Sequence, residues 1–246
     1  YFPNSPECAL ESRKLGLVTP EGVCELKQKT QLLAGKAEQY INISRMLELS
    51  ESHQLTDLAE MPAKHFHGVR IAVARDAAFS FIYRDNIRFL EHLGAEIIYF
   101  SPINDKKTPD GINGLMLFGG YPELFAEKLS ENRSMMQSIK EKIKSGLPII
   151  AECGGFMYLH DALAIDDKHT YPMVGVIPGK AFPTAKLQRF GYVRLYAKEN
   201  NLLCNKNEEL LAHEFHYWDS TNCGNAFNAE KTDGRAWKCC HISDNL

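Results

Sequence analysis

The stretch Leu147-Pro-Ile-Ile-Ala-Glu-Cys153-Gly-Gly-Phe-Met-Tyr-Leu-His160 places one cysteine between the end of one short apolar run and the start of another. Leu147, Ile149, Ile150 and Ala151 follow a Ser-Gly-Leu-Pro turn signal and predict a buried strand. After Gly154 and Gly155 the apolar residues resume at helical spacing through Phe156, Met157, Tyr158 and Leu159. A side chain at such a strand-to-helix turn meets the unpaired backbone N–H groups of the first helical turn, which lower a thiol pKa and can donate to a developing oxyanion. The two glycines let the chain take a strained turn and bring substrate close to the backbone. The pattern x-Cys-x-Gly therefore reads as a nucleophile elbow with cysteine in the serine position, Ala151 standing where a leading glycine is usual. The competing reading is a buried structural cysteine that precedes two glycines.

An elbow of this kind needs a sheet behind it, and from Val69 onward the chain alternates strand and helix signals. Residues 69–75 read as a strand, 76–81 as a loop, and 83–94 as a helix with Ile87, Leu90 and Leu93 on one face and Gly94 as its left-handed cap. Residues 95–100 and 114–118 are the next strands, the second running into Gly119-Gly-Tyr-Pro-Glu-Leu-Phe. Residues 130–146 form a helix with Met136, Ile139 and Ile143 inward. This order predicts an α/β fold with a mainly parallel sheet and helices on both faces. Sites in such sheets lie at the carboxyl ends of strands, so the loops after Arg75, Phe118 and Ala151 should face one another across a crevice. Residues 171–178, 191–196 and 210–217 read as further strands, partly antiparallel, and the tail from Asn222 carries little pattern.

Residues 1–67 differ. Apolar residues at helical intervals predict two amphipathic helices, over 27–40 and 41–49, with Pro20-Glu21 as a helix start and joints at 51–54 and 61–68. The segment is too short and too polar to build its own core. It reads as the helical tail of a preceding domain plus a linker, with residues 68–246 as the α/β domain, and an initial Tyr fits a piece of something longer.

Net charge is −3 and no apolar run approaches a membrane span, which argues against a nucleic-acid groove or a membrane surface. Seven cysteines without a CxxC motif or a signal peptide point to a reducing, cytoplasmic setting. A cysteine nucleophile needs a base, and His213-Glu-Phe-His216-Tyr217 offers two. Alternation along a strand puts Glu214 and His216 on one face and His213 on the other, so His216 is the expected base and Glu214 a possible neighbour. As metal ligands the two histidines diverge, and no metal site is expected.

Five ordered motifs carry a resemblance: Arg70-Ile-Ala-Val-Ala-Arg-Asp-Ala-Ala-Phe-Ser-Phe, Gly119-Gly-Tyr-Pro-Glu-Leu-Phe-Ala, Ala151-Glu-Cys-Gly-Gly-Phe-Met-Tyr-Leu, Tyr171-Pro-Met-Val-Gly and His213-Glu-Phe-His-Tyr. Together they resemble the cobyrinate a,c-diamide synthase family, and within it the carboxyl-terminal glutamine amidotransferase domain of the class I, triad-type superfamily with its flavodoxin-like sheet. The resemblance covers roughly residues 69–217, and residues 10–18 resemble the end of the family's amino-terminal synthetase domain. It implies that Cys153 attacks the side-chain amide of L-glutamine to form a thioester, with His216 activating the thiol and protonating the departing ammonia. It implies an oxyanion hole from the Gly120 and Gly154 amides, with Gly119 a competing donor, and a substrate loop containing Gly119, Tyr121 and Glu123. In the family, ammonia passes to an ATP- and Mg2+-dependent domain that amidates the a and c carboxylates of a corrinoid.

Two departures stand against full carry-over. Where His-x-Glu is often found, Trp218 lies two residues after His216, leaving Glu214 or no residue as third member. No G-x-x-x-x-G-K-[ST] loop occurs, so this chain is expected to bind no cofactor itself and to act at most as a glutaminase. The same domain could serve hydrogenobyrinate or another tetrapyrrole, or act as a non-catalytic binding module.

Overall fold

In the computed structural model, residues 2–10, 23–51, 65–243 and 246 are described, and the chain divides into two compact units, residues 1–62 and 63–246. The expected helix start at Pro20-Glu21, most of residues 10–18, most of the joint at 51–54 and half of the joint at 61–68 lie outside the described residues. In the first unit, α1 (Leu26–Tyr40) and α2 (Ile43–Ser50) bury no residue, and of the described residues there only Cys8 is buried. Its contacts are peripheral, such as Lys36 with Glu7 at 3.1 Å and the edge-on rings of Phe2 and Tyr40.

The second unit opens on β1 (Arg70–Ala74), whose alternate residues build two separate apolar layers. Val73 packs with Ile87 of α3 (Arg84–His92) on one face, and Ile97 of β2 (Glu96–Phe100) joins that layer. Ala72 and Ala74 face the other way, with Leu115 and Leu117 of β3 (Gly114–Leu117). That layer is closed by α4 (Ala126–Glu131) and by α5 (Arg133–Lys144), which supply Leu129, Met135, Met136, Ile139 and Ile143. With β4 (Ile149–Ala151) the strands form a parallel sheet in the order β2-β1-β3-β4, covered by helices on both faces. Burial of a leucine- or isoleucine-sized side chain contributes roughly 2 kcal/mol, so these two layers carry the stability of the sheet.

The helix expected over 130–146 is interrupted. Asn132 leaves helical geometry between α4 and α5, and its buried side-chain amide donates to the carbonyls of Pro102 at 2.8 Å and Asp105 at 2.7 Å. A loop-anchoring hydrogen bond has replaced a helical turn.

Beyond β4, α6 (Gly154–Leu159) is only six residues long and runs straight into β5 (His160–Ala164). The single strand expected over 171–178 is two, β6 (Thr170–Pro172) and β7 (Ile177–Pro183). Between them the N–H groups of Val174, Gly175 and Val176 donate to the carbonyls of Tyr158, His160 and Leu159, tying that loop to the end of α6 instead of to a strand. β8 (Arg189–Ala197) and β9 (Glu209–His216) pair antiparallel, and β10 (Trp218–Ser220) follows after one residue.

The tail that lacked pattern contains β11 (Phe227–Glu230) and β12 (Ala236–Cys239). Two mostly antiparallel sheets result, β10-β7-β5-β6 and β12-β11-β8-β9, so the parallel, helix-covered architecture occupies the first half of this unit.

Candidate active site

Cys153 sits in the gap between β4 and α6 with φ 50° and ψ −110°, a conformation that non-glycine residues rarely adopt. The turn is held by the Glu152 N–H on the Leu117 carbonyl (2.9 Å) and the Gly155 N–H on the carbonyls of Phe118 (3.1 Å) and Glu152 (2.8 Å). Gly155 has to be glycine, since a Cβ there would lie 2.0 Å from the Leu117 oxygen. The three loops expected to converge do meet. Gly119, after β3, approaches Cys153 so closely that a Cβ would be 3.3 Å from the cysteine Cβ and 3.6 Å from its sulfur. The loop after β1 supports it from behind, with the Phe81 N–H on the Gly119 carbonyl at 3.1 Å and the Ala78 carbonyl flush against Gly120.

An anchor that the sequence analysis did not single out is Asp76. One carboxylate oxygen accepts the N–H groups of Ala78 and Phe79, and the other accepts the Ser101 hydroxyl and the Ile103 N–H. Its position at a strand end, three residues before a buried phenylalanine, was the signal available.

Two backbone N–H groups, from Gly154 and Gly120, are directed at the Cys153 sulfur and favour its thiolate. The expected net lowering of the thiol pKa is not what results. Desolvation by the atoms packed behind the sulfur pushes it up, and the Glu123 and Glu152 carboxylates add to the rise, so the pKa lies above that of a free thiol. The residue itself is exposed, open to a ligand from the solvent side. Tyr121 is buried edge-on against Phe81, which with the 3-10 turn Pro122–Phe125 fixes the loop that brings Glu123 toward the thiol.

Glu214 and His216 share a face of β9, with Glu214 Oε1 at 3.7 Å from His216 Nε2 and at 3.6 Å from the Arg189 guanidinium. His213 lies on the opposite face among the rings of Phe190, Tyr192 and Phe215. His216 Nδ1 is 2.6 Å from the Trp218 carbonyl, which can only accept, so Nδ1 carries the proton and Nε2 is the basic nitrogen. Burial presses the imidazole pKa down, but Glu214 and the Trp218 carbonyl outweigh it and the net direction is upward. Trp218, which breaks the His-x-Glu pattern, thus fixes the ring through its backbone, and Glu214 faces Nε2. Among the described residues, no hydrogen bond or ion pair joins the Cys153 sulfur to the His216 ring. The thiol and the imidazole are held by different elements, the turn between β4 and α6 and the end of β9. Among the described residues no group of three or more His, Cys, Asp or Glu is placed to hold a metal.

A thiol on a strained elbow at the carboxyl end of a parallel, helix-covered sheet is the arrangement that α/β acyl-transfer domains with a cysteine nucleophile use. Residues 70–239 match the CobB/CobQ-like glutamine amidotransferase domain, and the chain belongs to that family. It is 38% identical over 242 residues to a cobyrinate a,c-diamide synthase of Listeria innocua, covering 97% of this chain and 53% of that protein. It is 40% identical over 217 residues to a cobyrinate a,c-diamide synthase of Caldanaerobacter subterraneus subsp. tengcongensis, covering 88% of this chain and 48% of that protein. The chain therefore spans about half the length of the curated relatives it matches. Among solved structures, PurLQS from Thermotoga maritima aligns at 18% identity with a TM-score of 0.47, over 66% of this chain and 75% of that one.

Proposed function

We propose that this chain is the glutaminase part of an ATP- and glutamine-dependent cobyrinate a,c-diamide synthase. Cys153 attacks the side-chain amide carbon of glutamine, and the Gly120 and Gly154 N–H groups stabilise the oxyanion of the tetrahedral intermediate. His216 Nε2 takes the thiol proton and returns it to the leaving ammonia, and water then resolves the thioester. Gly119, Tyr121 and Glu123 form the loop that receives the glutamine. The strained turn that presents Cys153, with Gly119 packed against its sulfur, is the observation that carries this reading.

The synthetase half supplies what this chain lacks. With no G-x-x-x-x-G-K-[ST] loop here, ATP and Mg2+ are assigned to that half, together with the corrinoid whose a and c carboxylates receive the ammonia. The size of the curated relatives, about twice this chain, supports a partner half that works with this one. Seven free cysteines fit a cytoplasmic setting, and no helix of the described residues is long and apolar enough to cross a membrane.

The test is Cys153→Ser in the complete enzyme. Glutamine-dependent amidation should vanish while amidation from added ammonia persists, because the acceptor site is separate. Loss of both activities with the fold intact, or retention of glutamine use, would contradict the proposal.

A further inference from the structure

The last strand ends in two adjacent cysteines. Neighbouring residues of a strand point to opposite faces, and their side chains ordinarily diverge. Here the Cys239 and Cys240 sulfurs are 3.8 Å apart. The cause is the backbone. Cys239 closes β12 in extended geometry, whereas Cys240 takes a left-handed φ of 62°, which turns its side chain back toward its neighbour. That corner is locked by the Ala226 N–H on the Cys240 carbonyl at 3.0 Å and by Gly224, which lies so close to that carbonyl that a Cβ would be 2.2 Å from its oxygen.

The two thiols are not equivalent. Cys239 is buried against Ala226, Phe227 and Ala229, and Cys240 is partly exposed at the edge of the same cluster. Only Cys240 is open to a reagent arriving from solvent, so its sulfur is the one that reacts first. Both lie within electrostatic range of Glu214, the carboxylate that faces His216. Cys223 is nearby, but its sulfur is 3.3 Å from Asp219 Oδ1 and is held there.

We propose that Cys239 and Cys240 are a second thiol site, a vicinal pair that a small-molecule disulfide converts to a Cys239–Cys240 disulfide. The Cys240 thiolate attacks one sulfur of R–S–S–R, forming a mixed disulfide and expelling RS−, which takes up the proton released by Cys240. Cys239, losing its proton, attacks the Cys240 sulfur, expels the second RS− and protonates it. Two protein thiols are oxidised and one disulfide is reduced to two thiols. The pair is independent of glutamine chemistry, and its charge changes beside Glu214 when it is oxidised.

The experiment uses the full chain carrying Cys153→Ser, which removes the exposed elbow thiol. The folded protein is treated with oxidised glutathione, free thiols are blocked with iodoacetamide, and the tryptic peptide that begins at Cys239 is weighed. An unalkylated peptide lighter by two hydrogens than the dithiol is the expected product. Cys239→Ser should stop at a glutathione adduct on Cys240, and Cys240→Ser should give no adduct at Cys239. As a measurement that does not depend on those variants folding, phenylarsine oxide should be captured by the pair and protect both cysteines from alkylation. Full alkylation of both cysteines after glutathione treatment, a persistent mixed disulfide at Cys240 beside an alkylatable Cys239, or arsenical treatment that protects neither, would overturn the proposal.

Discussion

At the scale of single residues, glycine placement decides whether the thiol can work. A methyl group at Gly120 would sit 2.1 Å from the Ala78 backbone oxygen, so Gly120→Ala must displace the loop and with it one amide aimed at the sulfur. Loss of one such donor typically removes about 3 kcal/mol of transition-state stabilisation. Glutamine hydrolysis by Gly120→Ala should fall roughly a hundredfold to a thousandfold in kcat with a smaller change in KM; a rate within a few-fold of the parent would exclude Gly120 from the oxyanion hole. The imidazole has its own signature. His216 must be neutral to accept a proton, and Glu214 and the Trp218 carbonyl hold its pKa above the ordinary value of about 6.5. The acidic limb of kcat/KM should therefore lie above that value. Glu214→Gln removes the larger of these two influences and should move the limb to lower pH. A pH–rate profile that stays in place, or shifts upward, would show that another group is the base.

Elements show where sequence was sufficient and where it was not. β1, β3 and β4 are legible because buried parallel strands read as continuous apolar runs, and α3 because Ile87 and its neighbours repeat at helical spacing. The tail was opaque for a matching reason. β11 (Phe-Asn-Ala-Glu) and β12 (Ala-Trp-Lys-Cys) are four residues long and half polar, and they become strands only by pairing with β8 and with each other. β5 was missed because His-Asp-Ala-Leu-Ala has no strand preference of its own. Buried His160 decides its course, with Nδ1 donating to the Phe156 carbonyl at 2.9 Å and Nε2 accepting from the Ser220 hydroxyl at 2.6 Å, so the end of α6 is tied to β10.

His160→Phe keeps the bulk but strands a buried hydroxyl and a carbonyl, and should lower unfolding stability by ~1–3 kcal/mol in urea titrations; no loss would mean the link is dispensable. Burial depresses the His160 pKa, so as pH falls below about 6.5 the unfolded chain takes up the proton first. This residue therefore contributes its full stability above that pH and loses it through the window below. In His160→Phe that part of the acid sensitivity should disappear.

Across the whole molecule, the elbow belongs to the parallel sheet and the oriented imidazole to an antiparallel one. The elbow and the loops behind it were foreshadowed by glycines and by the order of strand and helix signals along the chain. The placement of His216 relative to Cys153 was not, because it depends on how sheet β12-β11-β8-β9 meets the parallel sheet, and no local pattern encodes that. If glutamine hydrolysis depends on a synthetase half, its rate in this chain should rise when that half is added, measured as glutamate released under identical conditions. Equal, robust rates with and without it would remove the need for a partner.

The most direct test of the account is labelling with a glutamine-analogue electrophile, followed by peptide mapping of all seven cysteines. Modification should concentrate on Cys153 and should weaken in His216→Ala far more than in His213→Ala. Labelling spread over the exposed cysteines without preference for Cys153, or greater sensitivity to His213 than to His216, would contradict it.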